Sequence, residues 1–132
     1  MPTAKQEIII KGAPVPSGAF SHAIRAGDFV FVSGQTSVDI TTGRPIDTDI
    51  YGQTERAFKN IVSVAESAGG SANSIVKMGI FTTNLTQQTP HINAAIDKWI
   101  GQPYPTRTTV SIDSVTAVGN VVADAILYLP QK

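Results

Sequence analysis

The sequence contains no cysteine and few charges of either sign. The lack of cysteine excludes disulfide bridges, thiolate metal sites and a cysteine nucleophile. Ten basic residues balance ten acidic residues, so the chain lacks the basic excess with which nucleic-acid binders neutralise phosphates. Only 15% of the residues are charged, and a sparsely charged, neutral chain is poorly protected against association. This composition favours a protein that buries surface in an oligomer, and it predicts no nucleic-acid partner.

Long apolar runs are absent too. No segment reaches the ~18 consecutive apolar residues of a membrane span, and residues 1–6 lack the apolar stretch of a signal peptide. We therefore expect a cytoplasmic protein without a membrane partner. The length of 132 residues suits a single domain over residues 1–132, since domains typically have about 100–150 residues.

The spacing of apolar residues predicts six strands and two helices in the order β-β-β-α-β-α-β-β. Helical periodicity extends over residues 51–68, with Asp47 or Asp49 as the N-cap and Gly69-Gly70 at the end. The second helix is expected to open at Thr89-Pro90, because proline suits a first helical position, and to end at Gly101. The strands are predicted at residues 7–11, 20–25, 29–35, 75–82, 106–112 and 121–129.

These elements predict an α+β domain with one mixed sheet and both helices on one of its faces. In the strands at 29–32 and 121–129, apolar residues occupy both odd and even positions. Both faces of these strands are therefore apolar. Two short helices cannot cover that much apolar sheet, and exposed patches of this size usually mark an interface. A second subunit is the simplest cover for the other face.

Arg107 and Asp124 are the unusual charged residues. Between residues 100 and 131 the only other charge is Asp113. A guanidinium half-buried in a strand needs an anionic partner, and its planar fork suits a carboxylate. Two interpretations stay open: an internal Arg107–Asp124 pair without chemistry, or a site where Arg107 binds the carboxylate of a small ligand.

The histidines give weaker signals. His22 and His91 lack metal-ligand spacing with each other or with an acidic pair, so no metal site is predicted. His22 either lines a cleft or faces water, and His91 is expected to be solvated in the first turn of a helix. No Ser/His/Asp arrangement or phosphate-binding glycine loop is present.

Several motifs in one order resemble the RidA (YjgF) family over nearly the whole chain. Residues 18–24, Gly-Ala-Phe-Ser-His-Ala-Ile, resemble the family's Gly-Pro-Tyr-Ser-Gln-Ala-Ile, and residues 31–35 resemble its Val-Ser-Gly-Gln strand. The helix that ends at residues 68–70 is in place. Residues 104–110, Tyr-Pro-Thr-Arg-Thr-Thr-Val, are similar to Pro-Ala-Arg-Thr-Thr-Val, and residues 122–126 resemble the closing Glu-Ile-Glu-Ala-Ile.

The resemblance implies a chorismate-mutase-like α+β fold and a homotrimer with clefts between subunits. It further implies hydrolysis of carboxylate-bearing enamines or imines, of the 2-aminoacrylate or aminomuconate type, to keto acids and ammonia without a cofactor. By this resemblance Arg107 holds the substrate carboxylate and Asp124 positions or activates water. Ser33 matches a cleft-lining position, and the backbone around Thr109 lines the same pocket.

Three positions depart from the family pattern. Phe20 replaces a tyrosine, Asp124 replaces a glutamate, and Thr86 stands at a position after the fourth strand that is often asparagine. These departures favour a sibling subgroup with a different or larger substrate, and they keep open a binding module that holds a carboxylate metabolite without turnover. An endoribonuclease or translation inhibitor is disfavoured by the zero net charge and the lack of a catalytic histidine pair.

Overall fold

The computed structural model of the protein describes residues 4–46, 49–115 and 119–131. The predicted order of strands and helices is confirmed, with one short 3-10 turn at Ala72–Ser74 before the fourth strand. The elements are β1 (Gln6–Ile8), β2 (Ala23–Ala26), β3 (Phe29–Gln35), α1 (Ile50–Ser67), β4 (Ile75–Thr82), α2 (Leu85–Trp99), β5 (Thr106–Ser111) and β6 (Val121–Tyr128). Neither of these helices is long and apolar enough to cross a bilayer.

The six strands form one mixed sheet in the order β1-β2-β3-β6-β4-β5. All neighbours are antiparallel except β4 and β5, which are parallel and are connected through α2. This crossover places α2 over the β5 edge of the sheet. The α+β class with a mixed sheet is therefore confirmed.

Both helices lie on one face of the sheet, as predicted. Val30 pairs with Leu127 and Ile80 pairs with Ala123, and all four side chains are buried. On this face α1 packs against β3 and β6, while α2 packs against α1 and β5. The core therefore sits between the helices and a single face of the sheet.

The other face, which we call the open face, presents aromatic and aliphatic side chains to solvent. Phe29, Phe31 and Tyr128 are 43%, 46% and 48% exposed, and Val110 is 38% exposed. The rings of Phe29 and Tyr128 pack on each other with centroids 5.5 Å apart. The surplus of apolar sheet surface, predicted because both faces of these strands are apolar, is present in the chain.

The first helix has the ends that the sequence predicts. The side chain of Asp49 accepts a hydrogen bond from the N–H of Gly52 at 2.8 Å and caps α1; Asp47, the other candidate, lies outside the described residues. Gly69 follows the helix with φ of +93°, a conformation that favours glycine. The N–H of Gly70 then bonds the carbonyl of Ala65 at 2.9 Å.

The predicted start of the second helix is wrong. The side chain of Asn84 accepts from the N–H of Gln87 at 3.2 Å, so α2 begins at Leu85 and Pro90 lies inside it. Proline cannot donate to the carbonyl one turn back, and it is tolerated here at the cost of that hydrogen bond. The Asn84 cap is therefore the stronger start signal.

The first two strands are also shorter than predicted. The N–H of Phe20 bonds the carbonyl of Gly18 at 2.9 Å, and this tight turn keeps Phe20 out of the ladder. β2 starts at Ala23, which pairs with Ile8 on one side and Val32 on the other. Phe20 and His22 consequently lie in the loop that precedes β2.

A buried asparagine fastens the segment after β3 to α1. Asn60 is 1% exposed, and its side-chain amide donates to the carbonyls of Thr36 at 3.0 Å and Val38 at 2.8 Å. These carbonyls lie beyond the end of the strand and have no ladder partner in the sheet. Asn60 therefore supplies the donors that this segment needs.

Candidate functional site

Arg107 lies on the edge strand β5 with its side chain toward the helices. It pairs in register with Met78, whose side chain is buried under the helices. Its Nη2 donates to Oδ1 of Asn93 on α2 at 2.5 Å. The guanidinium is exposed, not half-buried as predicted, because a neighbouring strand flanks β5 on one side only. Its hydrogen-bond partner within the chain is a neutral amide.

A cavity of about 290 Å³ opens beside this guanidinium. Its lining combines the cationic head of Arg107 with a neutral amide, aromatic and aliphatic side chains, from Asn93, Ile96, Tyr104, Pro105 and Arg107. The hydroxyl of Tyr104 donates to Oδ1 of Asp97 at 2.7 Å, which fixes the ring at the rim. A single cation in such a cavity suits a small carboxylate.

Sequence reasoning did not identify Asn93, and the substrate-binding role predicted for Thr86 stays a prediction. Thr86 is exposed in the first turn of α2, not in a loop after β4 as expected. Asn93 lies about two turns further along the helix, where α2 passes over β5. The available signal was the crossover itself, since it places the middle of α2 above the strand that contains Arg107.

Asp124 lies in the middle of β6 with its side chain on the open face. Its Oδ1 accepts a hydrogen bond from the N–H of Gly79 on β4 at 3.0 Å. A Cβ atom at position 79 would lie 2.5 Å from that oxygen. Glycine at this position therefore leaves the space that the carboxylate occupies.

Ser33 opposes Asp124 across the β3–β6 pair. The register passes from Val32 with Ala125 to Gln35 with Ala123, so Ser33 and Gly34 together face Asp124 in a bulge. The Ser33 hydroxyl donates to the carbonyl of Ser21 at 2.6 Å. Ser33 thereby ties the loop containing Phe20 to the strand beside the carboxylate.

Of the two interpretations left open by the sequence, the internal pair of Arg107 and Asp124 is wrong. Arg107 shares the helix-bearing face with Thr109, which pairs with buried Ile80, whereas Asp124 shares the open face with Gly79. The chain therefore holds two separate groups. We call them the arginine group, composed of Arg107, Asn93 and Thr109, and the aspartate group, composed of Asp124 and Ser33.

Phe20 borders a third feature, which we call the Phe20 pocket. This cavity of about 650 Å³ lies between residues 14–22 and residues 34–43. Phe20 is 52% exposed and meets the ring of His22 edge-on, with centroids 6.4 Å apart. Nε2 of His22 lies 3.3 Å from the carbonyl oxygen of Pro14. Of the two alternatives for His22, the structure supports a cleft-lining position.

A tight turn forms the far wall of this pocket. Oδ1 of Asp39 accepts hydrogen bonds from the hydroxyl of Thr41 at 2.6 Å and from the N–H groups of Thr41 and Thr42 at 2.9 and 3.3 Å. These donors, the Thr41 hydroxyl foremost, hold the pKa of Asp39 below its usual value. The N–H of Gly43 closes the turn on the carbonyl of Asp39 at 2.7 Å.

The second histidine takes no part in these groups. The ring of His91 meets that of Tyr51 edge-on at 5.2 Å, so it is half-buried between the helices instead of fully solvated. Within residues 4–46, 49–115 and 119–131, no three acidic or histidine side chains cluster to hold a metal ion.

Comparison with known proteins identifies relatives over almost the full chain. The model of the endoribonuclease L-PSP family matches residues 10–124. A RutC family protein of Pyrococcus abyssi is 34% identical over 125 residues, which are 95% of this chain and 98% of that protein. The 2-iminobutanoate/2-iminopropanoate deaminase of Dermatophagoides farinae is 29% identical over 117 residues, covering 89% of this chain and 91% of the deaminase. The crystal structure of RidA from an Antarctic Psychrobacter superposes with a TM-score of 0.85 at 32% identity, covering 94% of this chain and 99% of that chain.

Proposed function

Because the chain belongs to the endoribonuclease L-PSP family, which includes the RidA proteins, we propose that it hydrolyses carboxylate-bearing enamines or imines and releases ammonia. The family resemblance drawn from the motifs is confirmed by these matches. The reaction itself is our proposal. A relative named 2-iminobutanoate/2-iminopropanoate deaminase and one named Reactive Intermediate Deaminase A support it. The geometry around Arg107 supports it independently.

The exposed guanidinium of Arg107 is the observation on which the proposal rests. A guanidinium has five N–H donors in a planar fork, and Asn93 accepts from Nη2 alone. The other donors make no hydrogen bond within the described residues and face a cavity of about 290 Å³. An oriented fork of this kind binds a carboxylate bidentately, and Asn93 acts as a positioning residue for it.

Hydrolysis of an imine consumes one water molecule, and a carboxylate can accelerate it by orienting that water. Water adds to the electrophilic imine carbon, a C–O bond forms, and the C=N electron pair moves to nitrogen. After proton transfer from oxygen to nitrogen, the C–N bond breaks and ammonia leaves a carbonyl group behind. We assign the orientation of water to Asp124, with the hydroxyl of Ser33 beside it. An enamine enters this sequence after protonation at carbon.

The two groups cannot both touch one small substrate within a protomer, because they lie on opposite faces of the sheet. We therefore place the reaction in a cleft between subunits of a homotrimer, with the arginine group from one subunit and the aspartate group from a neighbour. The apolar side chains of the open face support this assembly, since monomers rarely expose such a surface.

Replacing Arg107 tests the proposed activity. We expect Arg107→Ala to lower kcat/KM for 2-iminopropanoate about 100-fold or more, because the substrate loses its carboxylate anchor and its orientation. The measurement is ammonia release from freshly generated imino acid. Arg56→Ala, a matched change on α1 outside both groups, is expected to retain wild-type activity. Wild-type kcat/KM in Arg107→Ala would show that the site is wrong.

A carboxylate-binding module without turnover is the second candidate. Phe20 and Asp124 favour it, since they replace a hydroxyl-bearing ring and a longer acid of the family pattern. Saturable binding of a carboxylate ligand, with no ammonia release above the rate in buffer, would support this candidate. Strong salt-dependent RNA binding would instead support the activity after which the family is named.

A further inference from the structure

The Phe20 pocket is much larger than the cavity beside Arg107. Its volume is about 650 Å³, against about 290 Å³ for the latter. Small-molecule sites in proteins typically have roughly 300–1,000 Å³. A substrate with a methyl side chain would leave most of this pocket unfilled.

The walls of the pocket are mostly apolar, with polar side chains at Ser17, His22, Gln35 and Thr36. Pro14, Val15 and Pro16 form one wall, and Val38 and Ile40 belong to the opposite side. Among the described residues that line it, His22 is the only one with an ionisable side chain. A charged substituent would therefore lose water there without gaining a counter-ion. The lining suits a neutral apolar group.

Hydrogen bonds hold the wall that residues 35–38 form in place. Asn60 binds the carbonyls of Thr36 and Val38 from the interior, and Nε2 of buried Gln35 donates to the carbonyl of Ser33 at 3.1 Å. A pocket with fixed walls selects ligands by size better than one that must be ordered on binding.

The pocket begins next to the residues assigned to the reaction. Gly34 lines it and directly follows Ser33, and Phe20 lines it and directly precedes Ser21, whose carbonyl accepts the Ser33 hydroxyl. A substituent on a carbon that reacts beside Ser33 can therefore extend past Phe20 into the pocket. We propose that the Phe20 pocket binds the side chain of the substrate, and that the preferred substrates are 2-imino acids with bulky, neutral, apolar side chains. This inference rests on the proposed function and names its substrate class.

The test compares two imino acids generated in the assay by an amino-acid oxidase: 2-imino-4-methylpentanoate and 2-iminopropanoate. We expect wild-type kcat/KM to favour the bulkier compound at least tenfold, since one methylene in a matching apolar pocket changes kcat/KM about 10–200-fold. Val15→Asp is expected to lower this ratio at least fivefold, because it places a charge in the wall. Val15 is 84% exposed, so the variant keeps its fold.

A matched control separates pocket chemistry from a general effect of added charge. Ile9 is 68% exposed and lies outside the pocket, so Ile9→Asp is expected to leave the ratio unchanged. Equal kcat/KM values for the two compounds in the wild type would overturn the inference while leaving the proposed activity intact. An unchanged ratio in Val15→Asp would overturn it in the same way.

Absence of turnover for both compounds would refute the proposed activity, and binding then decides the inference. The stable 2-oxo acids 4-methyl-2-oxopentanoate and pyruvate serve as probes in titration calorimetry. Tighter binding of the branched compound, reduced at least fivefold in Val15→Asp, would support the pocket assignment. Equal affinities, or no binding of either compound, would overturn it.

Discussion

Gly79 controls where the carboxylate of Asp124 sits. Its N–H donates to Oδ1, and its missing side chain provides the space for that oxygen. A Cβ at position 79 would also lie 3.3 Å from Cε2 of Phe81. The strand can keep its register with alanine here because the atom that must move is the end of a side chain. The function of Asp124 can therefore be tested without changing Asp124 itself.

We expect Gly79→Ala to lower kcat for imine hydrolysis roughly 100-fold, because a displacement of about 1 Å misplaces the water that the carboxylate orients. The free energy of unfolding should fall by about 1 kcal/mol, the usual value of one hydrogen bond. Steady-state kinetics and urea unfolding measure the two effects. Gly52→Ala, in the first turn of α1, is the control for the kinetic effect.

Asp124→Asn provides the complementary change. The amide oxygen still accepts from the N–H of Gly79, so the side chain keeps its place while its charge is lost. Both variants should be slow if the charged, correctly placed carboxylate orients water. Full activity in Gly79→Ala, together with a crystal structure showing a displaced carboxylate, would remove Asp124 from the mechanism.

At single positions, the sequence singled out two charged residues but did not predict their surroundings. Arg107 and Asp124 were identified because charges are scarce between residues 100 and 131. Their opposite orientations follow from the pairing of Met78 with Arg107 and of Gly79 with Asp124. That pairing depends on which strands are neighbours, which spacing along the chain does not reveal. Asn93 was missed for the same reason.

On the scale of secondary-structure elements, the segment after β3 is held in place more by hydrogen bonds from α1 than by the sheet. Asn60 supplies donors to the carbonyls of Thr36 and Val38. Its own Oδ1 has no partner within the described chain, which offsets part of that gain. The same two residues line the Phe20 pocket, so stability and pocket shape are coupled here.

We expect Asn60→Ala to lower the free energy of unfolding by about 2 kcal/mol, because it leaves two carbonyls without their donors and opens a small cavity. Urea denaturation measures the change. Asn73→Ala is the matched control, since Asn73 is exposed and its side chain makes no hydrogen bond within the described residues; surface changes of this kind usually stay within about 0.5 kcal/mol. Equal stability of the two variants would show that water replaces the lost donors.

For some elements, sequence patterns are sufficient to predict the bounds. β3 and β4 have the predicted bounds, because each is a strong apolar run ended by turn residues. The start of α2 was misplaced because Pro90 suits a first helical position by local preference. The Asn84 cap and the core contacts of buried Gln88 extend the helix past that preference. Tertiary packing decided this boundary.

On the scale of the whole molecule, the two faces of the sheet differ in how far their side chains are covered. The helix-bearing face is closed by packing, and the open face leaves Phe29, Phe31 and Tyr128 close to half exposed. The prediction that these strands are apolar on both faces was therefore sufficient to locate the exposed apolar surface. The sequence contains no information on the geometry of whatever covers it, and the homotrimer comes from the family resemblance.

A charge placed in the open face tests assembly and the shared cleft together. Phe31 is 46% exposed and lies beside Ile126, opposite the helices. We expect Phe31→Glu to convert the proposed trimer to monomers, because taking a carboxylate out of water at an interface costs several kcal/mol. Sedimentation velocity measures the assembly, and circular dichroism should show an unchanged fold, since the core side of β3 is untouched.

The same variant should lose imine hydrolysis about 100-fold or more, because each protomer holds the arginine group and the aspartate group on opposite faces. Tyr51→Glu, at a 37% exposed aromatic residue on α1, is the matched control and should stay assembled and active. A stable monomer of Phe31→Glu with wild-type kcat/KM would refute the shared cleft. A trimer that persists with the glutamate in place would show that a surface other than the open face joins the subunits.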